Sequence, residues 1–374
     1  MPTKLIWGEN CIVNNAELLR PFGDTALIVT GRSSAKNGAL ADMKAAFDAL
    51  GIKYSVFGGV EENPSVECVE RAALEGRGCA FVAAIGGGSP LDAGKAAAVL
   101  LANSGMKGYD LYEKGSYSVL PVITVPTTAG TGAELTPNFV LTNHRMKTKA
   151  SAVPRIFPSI AFLDGRYIKD MPYDIMAGTV IDSLAHSIES YMSASSNFMS
   201  MRVCEAAFEA FAKIKDALIT KNFTPQILDE LLLISAMGGI AITQAQTTLP
   251  HFLSYALTYN KNIPHGMASG LLLYEYMACF ENKDNKNKIE VIVSKLDFGS
   301  LKEFGAYIGS LLSINANVSD EELRQYAHQA ASVPEKLSRH PEPVTAELLE
   351  RIYVNSVNRY SKYNSGVKRH ERPL

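Results

Sequence analysis

The sequence predicts an α/β N-terminal domain with a mostly parallel sheet, residues 1–173, followed by an all-α C-terminal domain, residues 174–374. Two observations predict it. Between about residues 25 and 165, short β-branched runs alternate with helical patterns, and that alternation calls for a parallel sheet covered by helices on both faces. After about Asp174 nearly every segment carries apolar residues at three- and four-residue spacing, and β-branched clusters bounded by tight turns disappear. The length agrees, because 374 residues exceed the roughly 100 to 200 typical of one domain.

The strands, in order, are TALIVTG from Thr25, KYSVFGGV from Lys53, AFVAAIGGG from Ala80, LPVITVPTT from Leu120 and IAFLDG from Ile160. Between them ADMKAAFDALG (41–51) and SVECVERAALEG (65–76) have the helical period and stop at Gly51 and Gly76. In the second half the period predicts helices over 174–194, 198–219, 226–246, 266–281, 298–313, 319–333 and 345–360. The run Ser319 to Glu322 has the capping-box layout that starts one of them. The tail from Ser361 is polar and basic, so its last residues are expected to be loosely held.

Composition excludes little but points one way. With 47% hydrophobic residues, 20% charged and a formal net charge of -2, nothing asks for a nucleic acid or an anionic membrane. Five scattered cysteines (Cys11, Cys68, Cys79, Cys204, Cys279) form no CxxC pair and leave an odd one over. That argues against a disulfide framework or a cysteine zinc site and fits a reducing cytoplasm. The N-terminus lacks the charged-then-apolar layout of a signal, and no stretch reaches the roughly 18 uninterrupted apolar residues of a membrane span.

Two loops of the α/β half suit an anion. Gly86, Gly87, Gly88 and Ser89 join a strand to a helix, with Pro90 fit for a first helical turn and Asp92 just inside. Glycines let a phosphate approach the backbone, and the free N–H groups of a helix start favour negative charge. The pattern is neither GxGxxG nor a Walker loop, and the same glycines also suit a plain tight turn. A second loop, VPTTAGTGAE (125–134), again ends a strand and holds Thr127, Thr128 and Thr131, residues that often only cap their own backbone. After the first clear strand come Gly31, Arg32, Ser33 and Ser34, where a nucleotide fold using NAD usually places an acid. A cation and hydroxyls instead suit an extra 2′-phosphate, which favours NADP(H) over NAD(H); a solvated turn is the alternative.

The second half carries a different chemistry. Asp182 and His186 are four apart in a helical pattern, so they leave one helix face about a turn apart and can share an ion. Alone, such a pair is as much a buried hydrogen-bonded pair. LPHFLSYALTYNKNIPHGMASG adds His251 and His265 in an otherwise apolar stretch, in a chain of only seven histidines. Burying these groups unpartnered is costly, and a shared cation removes the cost. One carboxylate with three imidazoles suits Fe(II), Zn(II) or another first-row divalent ion and is poor for Mg(II) or Ca(II). His144, His328, His340 and His370 stand among polar residues and are expected at the surface.

GGGSPLDAGK, VPTTAGTGAE, VIDSLAHSIESY and the H-x13-H pair ending in PHG, taken together and in this order, resemble the iron-containing (group III) alcohol dehydrogenase family. The resemblance implies a nucleotide-binding α/β domain, a helical metal-binding domain and a dehydroquinate synthase-like architecture. It implies Asp182, His186, His251 and His265 as metal ligands, a nicotinamide cofactor, and a small primary alcohol or aldehyde as substrate. Lys149, in KTKASAVP, would lie near the cofactor phosphates by the same alignment. Many members carry a further histidine four residues after the third ligand; here Tyr255 stands in its place, a departure from the pattern at the position of a proton relay. A homodimer is also expected. The rivals are a dehydroquinate synthase-like lyase, a glycerol-type dehydrogenase on the same scaffold, and a non-catalytic nucleotide- or metal-binding protein. The lyase needs several Lys and Arg for its substrate, and between residues 176 and 212 only Arg202 stands.

Overall fold

The computed structural model describes residues 2–32, 34–315 and 317–366. Ser33, the basic tail beyond Gly366 and His370 lie outside the described residues.

In chain order the first half holds β1 (Lys4–Trp7), α1 (Cys11–Asn14), β2 (Thr25–Thr30), α2 (Ala39–Leu50), β3 (Lys53–Phe57), α3 (Val66–Glu75), β4 (Phe81–Gly86), α4 (Gly88–Ala102), β5 (Val122–Pro126), β6 (Val140–Asn143), β7 (Thr148–Ser151) and β8 (Ile160–Leu163). Helices rather than tight turns separate most consecutive strands, so the main sheet is parallel at every pairing, in the order β1-β8-β5-β4-β2-β3. This is the fold class expected. Every residue of β4 is buried, as a strand covered on both faces requires. Alternation divides the core: Leu27, Val29 and Val82 pack on one face with α3 and α4, while Ala26, Ile28, Ala83 and Ile85 pack on the other with Met43 and Phe47 of α2. The edge strand β1 and the antiparallel hairpin β6–β7 are additions to the expected strands; each strand has four residues, and β1 and β7 are largely exposed.

The second half is helical among the described residues: α5 (Tyr173–Met192), α6 (Phe198–Thr220), α7 (Pro225–Ala245), α8 (Leu249–Lys261), α9 (His265–Ala278), α10 (Lys283–Lys295), α11 (Leu301–Leu311), α12 (Asp320–Ala331), α13 (Pro334–Leu337) and α14 (Ala346–Gly366). The capping box at Ser319 forms as read, the Ser319 hydroxyl accepting from the Glu322 N–H and the Glu322 carboxylate from the Ser319 N–H. Helix α5 is buried almost throughout from Met176 to Met192, which makes it the axis of this half. Helices α8 and α10 and the short α13 are additions to the expected set.

The chain forms two compact units, one running to Met171 and including Phe223–Ile240, the other made of Pro172–Asn222 and the chain from Ala241. The excursion of 223–240 has a local cause. A Cβ at Gly132 would stand 2.4 Å from the Gly239 Cα, so the second loop of the α/β unit lies directly on α7. Helix α7 is long and apolar enough to cross a membrane by length and composition, and half of its apolar window is buried. All five cysteines are free. His340 corrects the expectation of a surface histidine: it is only 5% exposed. Its ring stacks on Phe280 with centroids 4.8 Å apart, and its Nδ1 lies 2.9 Å from the Glu342 carbonyl oxygen and 3.2 Å from the Glu342 nitrogen. Polar sequence neighbours hid that packing. His144 and His328 are exposed.

Candidate metal centre and nucleotide loops

Asp182 and His186 project from buried turns of α5, and His251 from the first turn of α8, where Pro250 is tolerated because the N–H it lacks has no helical partner there. One ligand atom from each of these three lies within 4.8 Å of the others. His265 opens α9, with Nε2 3.7 Å from Asp182 Oδ1. The four residues paired by sequence reasoning therefore converge in one unit. Asp182, His186 and His251 are at most 6% exposed, while the His265 side chain is 36% exposed and gives the group its open side.

The rings are ordered against one another. His186 and His251 stack with centroids 4.3 Å apart, His251 meets His265 edge-on at 5.2 Å, and Tyr255 stacks on the outer face of His265 at 5.6 Å. Ser254 settles one tautomer. Its single hydroxyl proton goes to the His251 carbonyl at 2.8 Å, so toward His265 Nδ1, 3.2 Å away, it acts as acceptor. Nδ1 of His265 then carries the proton, and its Nε2 offers a lone pair to the site. His251 Nδ1 contacts Glu189 Oε1.

A cation fits what remains. Asp182 Oδ1 and His251 Nε2 are buried 3.3 Å apart, and neither makes a hydrogen bond. Two facing lone pairs repel unless a positive charge lies between them. The electrostatics agree. Burial alone raises the Asp182 carboxyl, but His186, His265 and His251 outweigh it and hold it well below the usual carboxylate range. Burial likewise disfavours a charged His251, yet Glu189 and Asp182 lift it to about 10: without a metal a proton takes the cation's place between Nε2 and Oδ1, and a bound metal would displace it and leave Nε2 its lone pair. One oxygen and three nitrogens form a donor set for Fe(II) or Zn(II).

Glu189 and Ser254 escaped the sequence reading. Glu189 had a signal, since it follows Asp182 by seven residues and His186 by three, on the same helix face. Ser254 had none.

In the α/β unit the two expected loops meet. Gly86 has φ +148 and turns the chain out of β4, and a Cβ there would stand 2.5 Å from the Pro90 ring. Cβ atoms at Gly87 and Gly88 would approach the Thr128 and Thr131 methyls to 3.1 and 2.9 Å. Thr127 donates its N–H to the Gly86 carbonyl at 2.9 Å. Gly31 also adjoins the turn, its hypothetical Cβ 3.5 Å from Pro90. Lys149 donates to Asn63 Oδ1 at 2.5 Å, and the Asn63 N–H donates to Ser89 Oγ at 3.1 Å, which ties Lys149 to the glycine turn. Other members are occupied by the chain itself. Asp92 accepts from the Val140 N–H at 3.0 Å, and Ser34 is fully buried with its hydroxyl on the Ile85 carbonyl at 3.1 Å. Ser34 is thus bonded to the strand, whereas Arg32 is exposed.

Lys95 was also missed. Fully buried, it donates to the carbonyls of Ala133 (2.6 Å), Thr136 (2.8 Å) and Asn138 (3.0 Å), fastening the threonine loop to the helix that bears the glycine turn. Burial pushes its ammonium down to about 8, opposed by Asp92 and Glu134. Burial in turn pushes Asp92 up to about 6 and Glu134 up to about 7, with Lys95 pulling both back.

Known proteins share this arrangement. Residues 2–165 match the family model described as iron-containing alcohol dehydrogenase, and residues 176–357 match the C-terminal model of the same family. The chain is 28% identical to lactaldehyde reductase of Escherichia coli (strain K12) over 315 residues, 81% of each chain. It is 30% identical to 1,3-propanediol dehydrogenase of Klebsiella pneumoniae over 284 residues, 73% of this chain and 72% of that one. The solved structure of an iron-containing alcohol dehydrogenase from Thermotoga maritima superposes with a TM-score of 0.85 at 35% identity, covering 96% of this chain and 98% of that one. Two consecutive family matches over nearly the whole length leave one assignment: the chain belongs to the iron-containing alcohol dehydrogenase family, oxidoreductases that act on alcohols and aldehydes.

Proposed function

We propose that this chain interconverts a small primary alcohol and its aldehyde with NADP(H) in preference to NAD(H), using a divalent metal held by Asp182, His186, His251 and His265. The observation that carries the reading is the buried pair of hydrogen-bond-free lone pairs on Asp182 Oδ1 and His251 Nε2, with two more imidazoles alongside. When bound, Fe(II) or Zn(II) would supply Lewis acidity, lowering the pKa of the alcohol so that hydride can leave its carbon for the nicotinamide.

The chain's own residues do the rest. Asp182 supplies the one negative charge of the donor set, so a divalent ion keeps net positive charge there. Ser254 holds His265 with its Nε2 lone pair inward, and Tyr255 walls the exposed side of that ring. The domain of residues 1–173 is read as nucleotide-binding, with the Gly86–Ser89 turn and Thr127, Thr128 and Thr131 around the phosphates and Lys149 beside them; residues 174–374 are read as the metal-binding domain. Arg32, exposed in the loop that adjoins the turn, and the lack of an acid there support NADP(H). The relatives named for lactaldehyde and 1,3-propanediol support a short substrate. Free cysteines support a cytoplasmic setting, and the exposed Phe198 and Met199 support a homodimer.

Metal analysis of protein purified without air, with NADPH and NADH oxidation measured against short aldehydes, tests the reading. One metal per chain and a preference for NADPH are expected. Turnover that persists in metal-free protein would overturn it.

A further inference from the structure

We propose that Glu189 is what makes His251 a ligand: it holds the proton on Nδ1 and aims Nε2 into the metal site. This rests on the metal reading above and concerns a positioning residue.

Glu189 is fully buried on α5, and its only ion-pair partner among the described residues is His251. Its two oxygens have divided tasks. Oε2 accepts from the Thr248 N–H at 2.7 Å and the His251 N–H at 3.3 Å, and lies 3.4 Å from the Thr248 hydroxyl oxygen. Those bonds satisfy N–H groups at the start of α8, which have no partner inside the helix. Oε1 contacts His251 Nδ1. A carboxylate only accepts, so Nδ1 must donate, and Nε2 is left with a lone pair 3.3 Å from Asp182 Oδ1. Thr248 Oγ1 also lies 2.8 Å from the hydroxyl of the fully buried Tyr276. The Thr248 hydroxyl donates to Tyr276 at that distance, and through its own N–H on Oε2 Thr248 links Tyr276 to Glu189 and His251. A helix cap needs one oxygen; the second is aimed at the ring.

Capping and positioning make different predictions for Zn(II) binding to metal-stripped full-length protein, measured by competition with a chromogenic chelator. Glu189→Gln should weaken binding about 10- to 100-fold in the natural sequence. In a His251→Ala background, where the ring is gone, the same change should cost less than threefold. Equal losses in both backgrounds, or no loss in the natural sequence, would show that Glu189 is only a cap. Failure of the natural protein to bind Zn(II) would instead overturn the metal reading itself. Should the Gln variant not fold, nitrogen NMR of 15N-histidine-labelled, Zn(II)-loaded natural protein still decides: His251 is expected protonated at Nδ1 and metal-bound at Nε2, and the opposite assignment would overturn the proposal.

Discussion

Gly266 lies against the main chain of Gly178: a Cβ at position 266 would stand 2.0 Å from the Gly178 carbonyl oxygen and 2.9 Å from the Asp182 Cβ. Helix α9 can therefore approach α5 closely enough for His265, one residue earlier, to reach Asp182. Gly266→Ala must push the helices apart. A loss of about 1–3 kcal/mol in stability is expected from such overpacking, with a larger fractional loss of bound metal. Thermal unfolding and metal content of the purified variant check this; unchanged metal content would separate the helix contact from the site.

Lys95 links the two loops of the α/β unit through three carbonyls. Lys95→Met leaves those acceptors without their donor, and a loss of at least about 2 kcal/mol is expected, since each buried unsatisfied group costs about 1–3 kcal/mol. Nucleotide dissociation constants, followed by fluorescence titration, should rise while Zn(II) affinity stays as it was.

The same cluster sets a pH dependence. Asp92 and Glu134 are raised by burial to about 6 and about 7, so they bind protons more tightly folded than unfolded. Their contribution to stability is present below the unfolded values and lost as pH rises through the folded ones. Lys95, lowered to about 8, works the other way and contributes stability that returns between about 8 and its ordinary value of 10.5. Melting temperatures should fall between pH 5 and about 7.5 and fall less in Glu134→Gln, which cannot ionise. Parallel melting curves for both proteins across that range would contradict the assignment to Glu134.

Arg32 is exposed in the loop that adjoins the glycine turn. Arg32→Ala should lower kcat/KM for NADPH by about tenfold or more, the worth of a charge-assisted hydrogen bond, and change that for NADH little. Steady-state kinetics with both cofactors and one aldehyde measure it, and equal effects on the two would remove Arg32 from the phosphate site.

Legibility followed the physical range of each interaction. The five strands bounded by turn residues and most helices are readable because their signals are local, as is the capping box at Ser319. Strand β1 escapes because it is short and mostly exposed, unlike the equally short but fully buried Ile160–Leu163, and α10 because its polar KDNKNK start masks the buried Ile289, Ile292 and Val293. Helix α8, which carries His251, begins with Leu-Pro-His and was read as an apolar stretch rather than a helix. Asp182 and His186 were readable as a pair one turn apart, and the two later histidines from their apolar setting. That Gly178 and Gly266 touch, that Ser254 orients His265, and that His340 is buried on Phe280 are consequences of packing between distant segments, which spacing does not encode.

A crystal of metal-loaded protein grown without air, with anomalous diffraction recorded on both sides of the metal's absorption edge, tests the four-ligand centre most directly. One anomalous peak should appear, bonded to an Asp182 oxygen and to nitrogens of His186, His251 and His265 at about 2.0–2.2 Å. A metal bonded elsewhere in the chain, with those four side chains hydrogen-bonded only to protein and water, would contradict it.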